Sequence, residues 1–268
     1  MVPKRRYLRQ VEDGWCSAAI GQSPRGLTPM LVTNFRLKHW LYRLVLAGYQ
    51  LLDTGRLHPL RARAIRALDA SVDYIDRHMG DAVGFDTQKE LLDYALTQSP
   101  AAGHYLECGV YSGGTIRHIA RRKPDATIHG FDSFEGLPEA WGGFTLARHS
   151  FSRGGRLPRV PRNVALYQGW FSATLPEWCR KLDGAIAFLH IDCDIYSSTH
   201  DILESLSERL RPDTVIVFDE YFNYPGWERH EFKAWQEFVA RRGIEYDYIA
   251  YARQQVMVRI RTVGAMRR

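Results

Sequence analysis

The spacing of apolar residues changes near residue 80. Before it, Phe35, Leu37, Leu41, Leu44, Val45, Leu51 and Leu52 recur broadly at helical intervals. They predict a helix over 33–52, capped by Thr33 or Asn34 and stopped at Gly55. A second helix is predicted over 59–78, Arg-rich on one side with Ile65, Leu68, Val72 and Ile75 on the other. Residues 1–30, punctuated by Gly14, Gly21, Pro24, Gly26 and Pro29, read as an irregular arm. Beyond residue 86 short apolar runs alternate with amphipathic stretches. Thr87 and Glu90 have capping-box spacing and predict a helix to about 98. Strands are predicted over 104–109, 127–132, 164–169, 185–192 and 214–220, and two final ones over 245–250 and 255–260. Helices are predicted near 113–122, 172–181, 198–210 and 228–241.

Strand–helix alternation with buried apolar strands implies an α/β fold: a doubly wound, mostly parallel sheet covered on both faces. The 268 residues allow one such domain with an addition. We therefore expect a helical N-terminal extension over 1–80 and the sheet domain over 81–268. In such sheets ligands bind beyond the carboxyl ends of the strands, so those residues carry the chemistry.

The first glycine turn reads ECGVYSGGT (107–115). Its glycines permit close backbone approach to a ligand, but the spacing is neither GxGxxG nor a P-loop. The next strand ends at Asp132, 25 positions after Glu107, followed by Ser133 and Phe134. A carboxylate there suits a ribose diol, because it accepts two hydroxyl hydrogen bonds at once. Two further strand ends carry His190, Asp192, Asp194 and Tyr196, and Asp219, Glu220 and Tyr221. Carboxylates converging there repel one another unless a cation or proton intervenes, and oxygen ligands favour magnesium, calcium or manganese.

Charge and cysteine usage narrow the picture. Residues 1–80 hold 13 Lys and Arg against six Asp and Glu, so +7 of a net +6 lies there and the remainder is −1. A basic end could meet nucleic acid or an anionic surface, but no aromatic-and-basic strand pattern of the RNA-binding kind accompanies it. Cys16, Cys108, Cys179 and Cys193 show no zinc spacing, and Cys108 and Cys193 read as reduced core residues. No apolar run is long enough to span a membrane and no secretory leader is evident, so a cytoplasmic location is expected.

Five segments in register carry a family resemblance: ECGVYSGGT (107–115), GFDSFEGLP (130–138), GWFSATLP (169–176), HIDCDIYSST (190–199) and VIVFDEY (215–221). Together they resemble the macrocin O-methyltransferase family of the TylF/MycF type, over roughly residues 84–250. The resemblance implies a Rossmann-like class I methyltransferase sheet with an antiparallel last strand. It also implies S-adenosyl-L-methionine (SAM) as cofactor and a divalent metal, usually magnesium. Glu107, Gly109, Ser112 and Thr115, with Tyr111 and Gly113 in the same turn, would line the methionine side of SAM. Asp132 and Ser133 would hold the ribose, and Gly169, Trp170 and Phe171 would border the adenine. Asp192, Asp219 and Glu220 would take the metal positions, with Asp192 also beside the cofactor and the catalytic base. The family's Asp-Asp-Tyr reads Asp219-Glu220-Tyr221 here, and Glu is one methylene longer.

The expected reaction is methyl transfer to a hydroxyl of a sugar or other small natural-product-type acceptor. Rival readings are transfer to a phenol, a nitrogen or RNA, or a non-catalytic binding module. The aromatic segment Phe222–Trp227 could stack on an acceptor or pack beneath its loop. A homo-oligomer, taken as a dimer, is expected.

Overall fold

The computed structural model describes residues 59–142 and 147–264. The chain divides into two compact units, 1–57 and 58–268. The first lies outside the described residues, and with it the arm, the predicted helix over 33–52 and Cys16. The second unit includes the helix Pro59–His78 (α1), which sequence reading assigned to the extension.

The strands are β1 (Val83–Gly84), β2 (His104–Cys108), β3 (Ile128–Asp132), β4 (Val164–Gln168), β5 (Ile186–Ile191), β6 (Val215–Phe218), β7 (Glu245–Tyr251) and β8 (Val256–Thr262). They form one sheet in the order β1-β7-β8-β6-β5-β2-β3-β4. Strands β2 to β6 run parallel, and β8 is antiparallel to both β6 and β7. The helices after α1 are α2 (Gln88–Gln98), α3 (Gly114–Arg122), α4 (Phe171–Lys181), α5 (Tyr196–Leu206) and α6 (Glu231–Arg242). The two-residue β1 was too short to be read from the sequence.

The apolar runs explain the layering. Every residue of β5 is buried, as a central strand packed on both faces requires. Along β6, Val215 and Val217 face the layer of α2 and α3, while Ile216 and Phe218 face that of α4, α5 and α6. Strand β7, flanked beyond β8 only by the two-residue β1, instead sets exposed Glu245 and Asp247 against half-buried Tyr246 and Tyr248, because one side meets water. Thr87 caps α2: its hydroxyl accepts the Glu90 N–H, and Glu90 accepts the Thr87 N–H.

Helix α1 corrects its predicted apolar stripe. Ile65, Leu68 and Val72 are exposed, at 52%, 49% and 46%. The buried side is Ala67 and Ser71, with Ala70, Tyr74 and Ile75 packed against the core. Small residues let the helix approach the loop after β6 closely. There the Asn223 N–H donates to Ser71 Oγ at 2.8 Å, and Ser71 donates to the Ala67 carbonyl.

Candidate active site

The chain leaves β2 towards β3 and β4, then returns to place β5 on the other side of β2. A crevice opens at this reversal, beyond the carboxyl ends of the strands. Its two walls meet at Gly109 and Asp192. Gly109 has φ +98, and a Cβ there would stand 1.6 Å from the Asp192 carbonyl oxygen. Any other residue would force β2 and β5 apart.

Asp132 organises the first wall. One carboxylate oxygen accepts the N–H groups of Val110 and Tyr111, at 2.8 and 2.6 Å, and the other accepts that of Phe134 at 2.7 Å. Tyr111 and Phe134 lie in the left-handed region, at φ 44 and φ 57, which costs free energy for aromatic residues. Three charge-assisted bonds to one carboxylate offset that strain. Asp132 thus ties the turns after β2 and β3 while still lining the crevice.

The cavity, about 230 Å³, is lined by Gly109, Tyr111, Asp132, Ser133, Gly169, Trp170, Phe171 and Asp192, all expected at the site. Trp170 is 39% exposed, leaving its ring free to meet a ligand. Ser112, Gly113 and Thr115 are not in the lining. Gly113 precedes α3 at φ +79, and Ser112 is exposed on the same turn. Asp194, named among the strand-end carboxylates, also lines it; Leu137, Trp141, Phe151 and Ser198 join the lining without having been singled out from the sequence. Phe222, Tyr224 and Trp227 are buried at 1%, 1% and 4%, so these rings pack beneath their loop and none lines this cavity.

Carboxylates crowd the opposite wall. One ligand atom from each of Asp192, Asp194 and Glu220 lies within 4.8 Å of the others. Asp194 reaches the group through a left-handed backbone, φ 68. Asp219, expected among the metal ligands, instead accepts a hydrogen bond from Gln88 and lies 3.6 Å from His190 Nε2. The other ring nitrogen of His190 is 3.8 Å from Glu107 Oε1. Glu107 is only 1% exposed and faces this imidazole rather than the cavity. A second group, Glu107, His190 and Asp192, also lies within 4.8 Å.

Burial and repulsion from Asp219 push Asp192 well above the usual carboxylate range. The same two causes push Asp194 up to about 7. Glu220 is also raised well above, by burial and by Asp219, Asp194 and Asp192. Burial opposes charge on His190, but Asp219 and Glu107 beside it hold its proton well above the imidazole range. Asp219, despite its burial, is held low by that imidazole.

Glu231, at the start of α6, was not found by sequence reasoning. It is fully buried and accepts the Glu220 N–H at 3.0 Å and the Cys193 N–H at 3.4 Å. One carboxyl thereby ties the turns after β5 and β6. The only local signal was an acidic residue opening a helix.

Residues 106–221 match the family model described as a methyltransferase domain. That segment runs from β2 to the end of the carboxylate wall. The chain is 31% identical over 141 residues to an 8-demethyl-8-(2,3-dimethoxy-alpha-L-rhamnosyl)-tetracenomycin-C 4'-O-methyltransferase of Streptomyces olivaceus, covering 44% of this chain and 53% of that one. It is 30% identical over 145 residues to the demethyldecarbamoylnovobiocin O-methyltransferase of Streptomyces niveus, covering 46% and 54%. The chain therefore spans about half the length of these curated relatives. Calicheamicin methyltransferase CalS11 superposes with a TM-score of 0.53 at 20% identity, over 64% of this chain and 77% of its own. The fold is the Rossmann-like class I methyltransferase sheet. Among the described residues no helix is long and apolar enough to cross a membrane.

Proposed function

We propose that the chain is a SAM-dependent O-methyltransferase that acts on a hydroxyl of a sugar or similar hydroxylated natural-product small molecule. The observation that carries this reading is the crevice itself: a glycine turn, Asp132 and Trp170 on one wall, and Asp192, Asp194 and Glu220 on the other. The names of the relatives, one of them acting on a rhamnosyl 4'-hydroxyl, support the acceptor class.

SAM supplies a methyl group already activated on sulfur, so the protein's work is alignment and proton transfer. Gly109 and Tyr111 border the methionine end in this reading. Asp132 and Ser133 face the ribose, and Gly169, Trp170 and Phe171 the adenine. Asp192 takes the proton of the acceptor hydroxyl.

The carboxylate wall also fits a divalent cation such as magnesium. Glu220 Oε2 is buried without a hydrogen-bond partner, and three mutually repelling carboxyls form a hard oxygen donor set. Asp192, Asp194 and Glu220 would hold the ion, with Asp219 behind them. When bound, it lowers the pKa of a hydroxyl at the site. The test is transfer of labelled methyl from SAM to a panel of hydroxylated sugars, before and after thorough chelation. Transfer abolished by chelation and restored by magnesium is expected. Full activity in metal-free protein removes the ion from the account, and no transfer to any hydroxylated acceptor removes the acceptor class.

A further inference from the structure

A second cleft lies apart from the reaction crevice and shares no lining residue with it. Arg63 and Arg66 of α1 line one side, and Trp227 and Arg229 line the other. Three guanidinium groups thus border one concavity, and Glu228 is the only acidic residue in the lining among the described residues.

The arrangement is costly as it stands. Arg63 and Arg66 are spaced i, i+3, where like charges on a helix destabilise it. The first turn of α1 contains no acidic residue to offset them. Salt bridges elsewhere on the surface engage Arg122, Arg209, Arg241, Arg242 and Arg261, but none reaches these three side chains among the described residues. The indole N–H of Trp227, itself only 4% exposed, has no acceptor among the described residues. Positive charge is therefore gathered at this cleft without an ion-pair partner among the described residues.

The backbone also leaves room for one of the guanidinium groups. Gly226 has φ +86, and a Cβ on it would come within 2.8 Å of Arg229 Nη2. The Arg229 guanidinium lies across the space that glycine leaves open. A larger residue would displace it.

Planar guanidinium forks match phosphoryl oxygens by paired N–H···O bonds, and several arginines suit a doubly charged group better than a carboxylate. We propose that the cleft is an anion site for a phosphoryl or diphosphoryl group, separate from the methyl-transfer crevice. The group is either a free phosphate ion or the phosphoryl end of a larger small molecule.

The test is titration calorimetry of the full chain at low salt with inorganic phosphate, pyrophosphate and uridine diphosphate. Saturable binding at one site is expected, weakened at least fivefold by Arg63→Gln, Arg66→Gln or Arg229→Gln. These side chains are exposed, so the variants keep the fold, and SAM binding serves as the check. Arg121→Gln, outside the cleft, leaves anion binding unchanged. Tighter binding of uridine diphosphate than of pyrophosphate assigns the site to a larger ligand, and equal binding assigns it to the free ion. Absence of saturable binding, or equal loss in Arg121→Gln, overturns the proposal.

Discussion

The phenol cluster around Gln236 and the carboxylate cluster around Asp192 both place polar groups inside the protein beside β6. In the first, the Tyr248 hydroxyl bonds those of Tyr74 and Tyr221 at 2.6 Å each and that of Tyr246 at 3.0 Å. The Gln236 amide reaches Tyr221 and Tyr246 at 3.0 and 2.9 Å. These groups are neutral and satisfied, and they join α1, α6 and β7. In the second, both Glu107 oxygens, both His190 nitrogens and Glu220 Oε2 are buried without hydrogen-bond partners. Buried polar groups are normally paired, because an unmet one costs about 1–3 kcal/mol. A complete network supports the fold, and an incomplete one at a crevice is poised to receive something.

The largest test of that contrast is Asp192→Asn. Turnover should fall roughly 10²–10⁴-fold, the usual weight of a general base, while SAM still binds. Removing a carboxylate from a repelling group should also leave the melting temperature unchanged or higher. Turnover like that of the native protein removes Asp192 as the base.

His129 extends the satisfied side of the comparison. Its Nδ1 accepts the Trp178 indole N–H at 3.3 Å and lies 3.1 Å from the Tyr167 hydroxyl. Protonation would set two donors against each other. Burial and the neighbouring His104 lower its pKa to about 4. A folded value below the unfolded one means stability fully present above about pH 6.5 and lost as pH falls towards 4. The loss should approach roughly 3 kcal/mol at 1.36 kcal/mol per unit. Denaturant melts of native protein and His129→Gln across that window check it; equal slopes in both exclude His129 as the source.

The smallest effect expected is that of Tyr248→Phe. Deleting the shared hydroxyl leaves its neighbours partly unmet and should cost about 1–3 kcal/mol of stability. Methyl transfer at a temperature where the variant is folded should stay within about twofold, since nothing at the crevice changes. A large loss of turnover without loss of stability would blur the division between the clusters.

The strand ends were legible because each parallel strand announces itself as a short apolar run closed by Gly or a carboxylate. Gly109, Asp132, Gly169 and Asp192 follow that rule. What escaped depended on chain conformation or distant contacts. Asp194 was named as a strand-end carboxylate, but its place beside Glu220 depends on its left-handed backbone, while Asp219 turns towards a histidine on the next strand. Glu231 crosses 11 positions to hold the Glu220 N–H, a contact no periodicity encodes. The buried side of α1 was missed because close packing on Asn223 selected alanine and serine over the larger aliphatics.

The account's central claim is most directly tested by titration calorimetry of SAM and S-adenosylhomocysteine into the full chain, with and without magnesium. Saturable micromolar binding of both is predicted, with a magnesium heat that disappears in Glu220→Gln. A well-folded protein that binds neither compound would contradict it, leaving the glycine turn and Asp132 as scaffold alone.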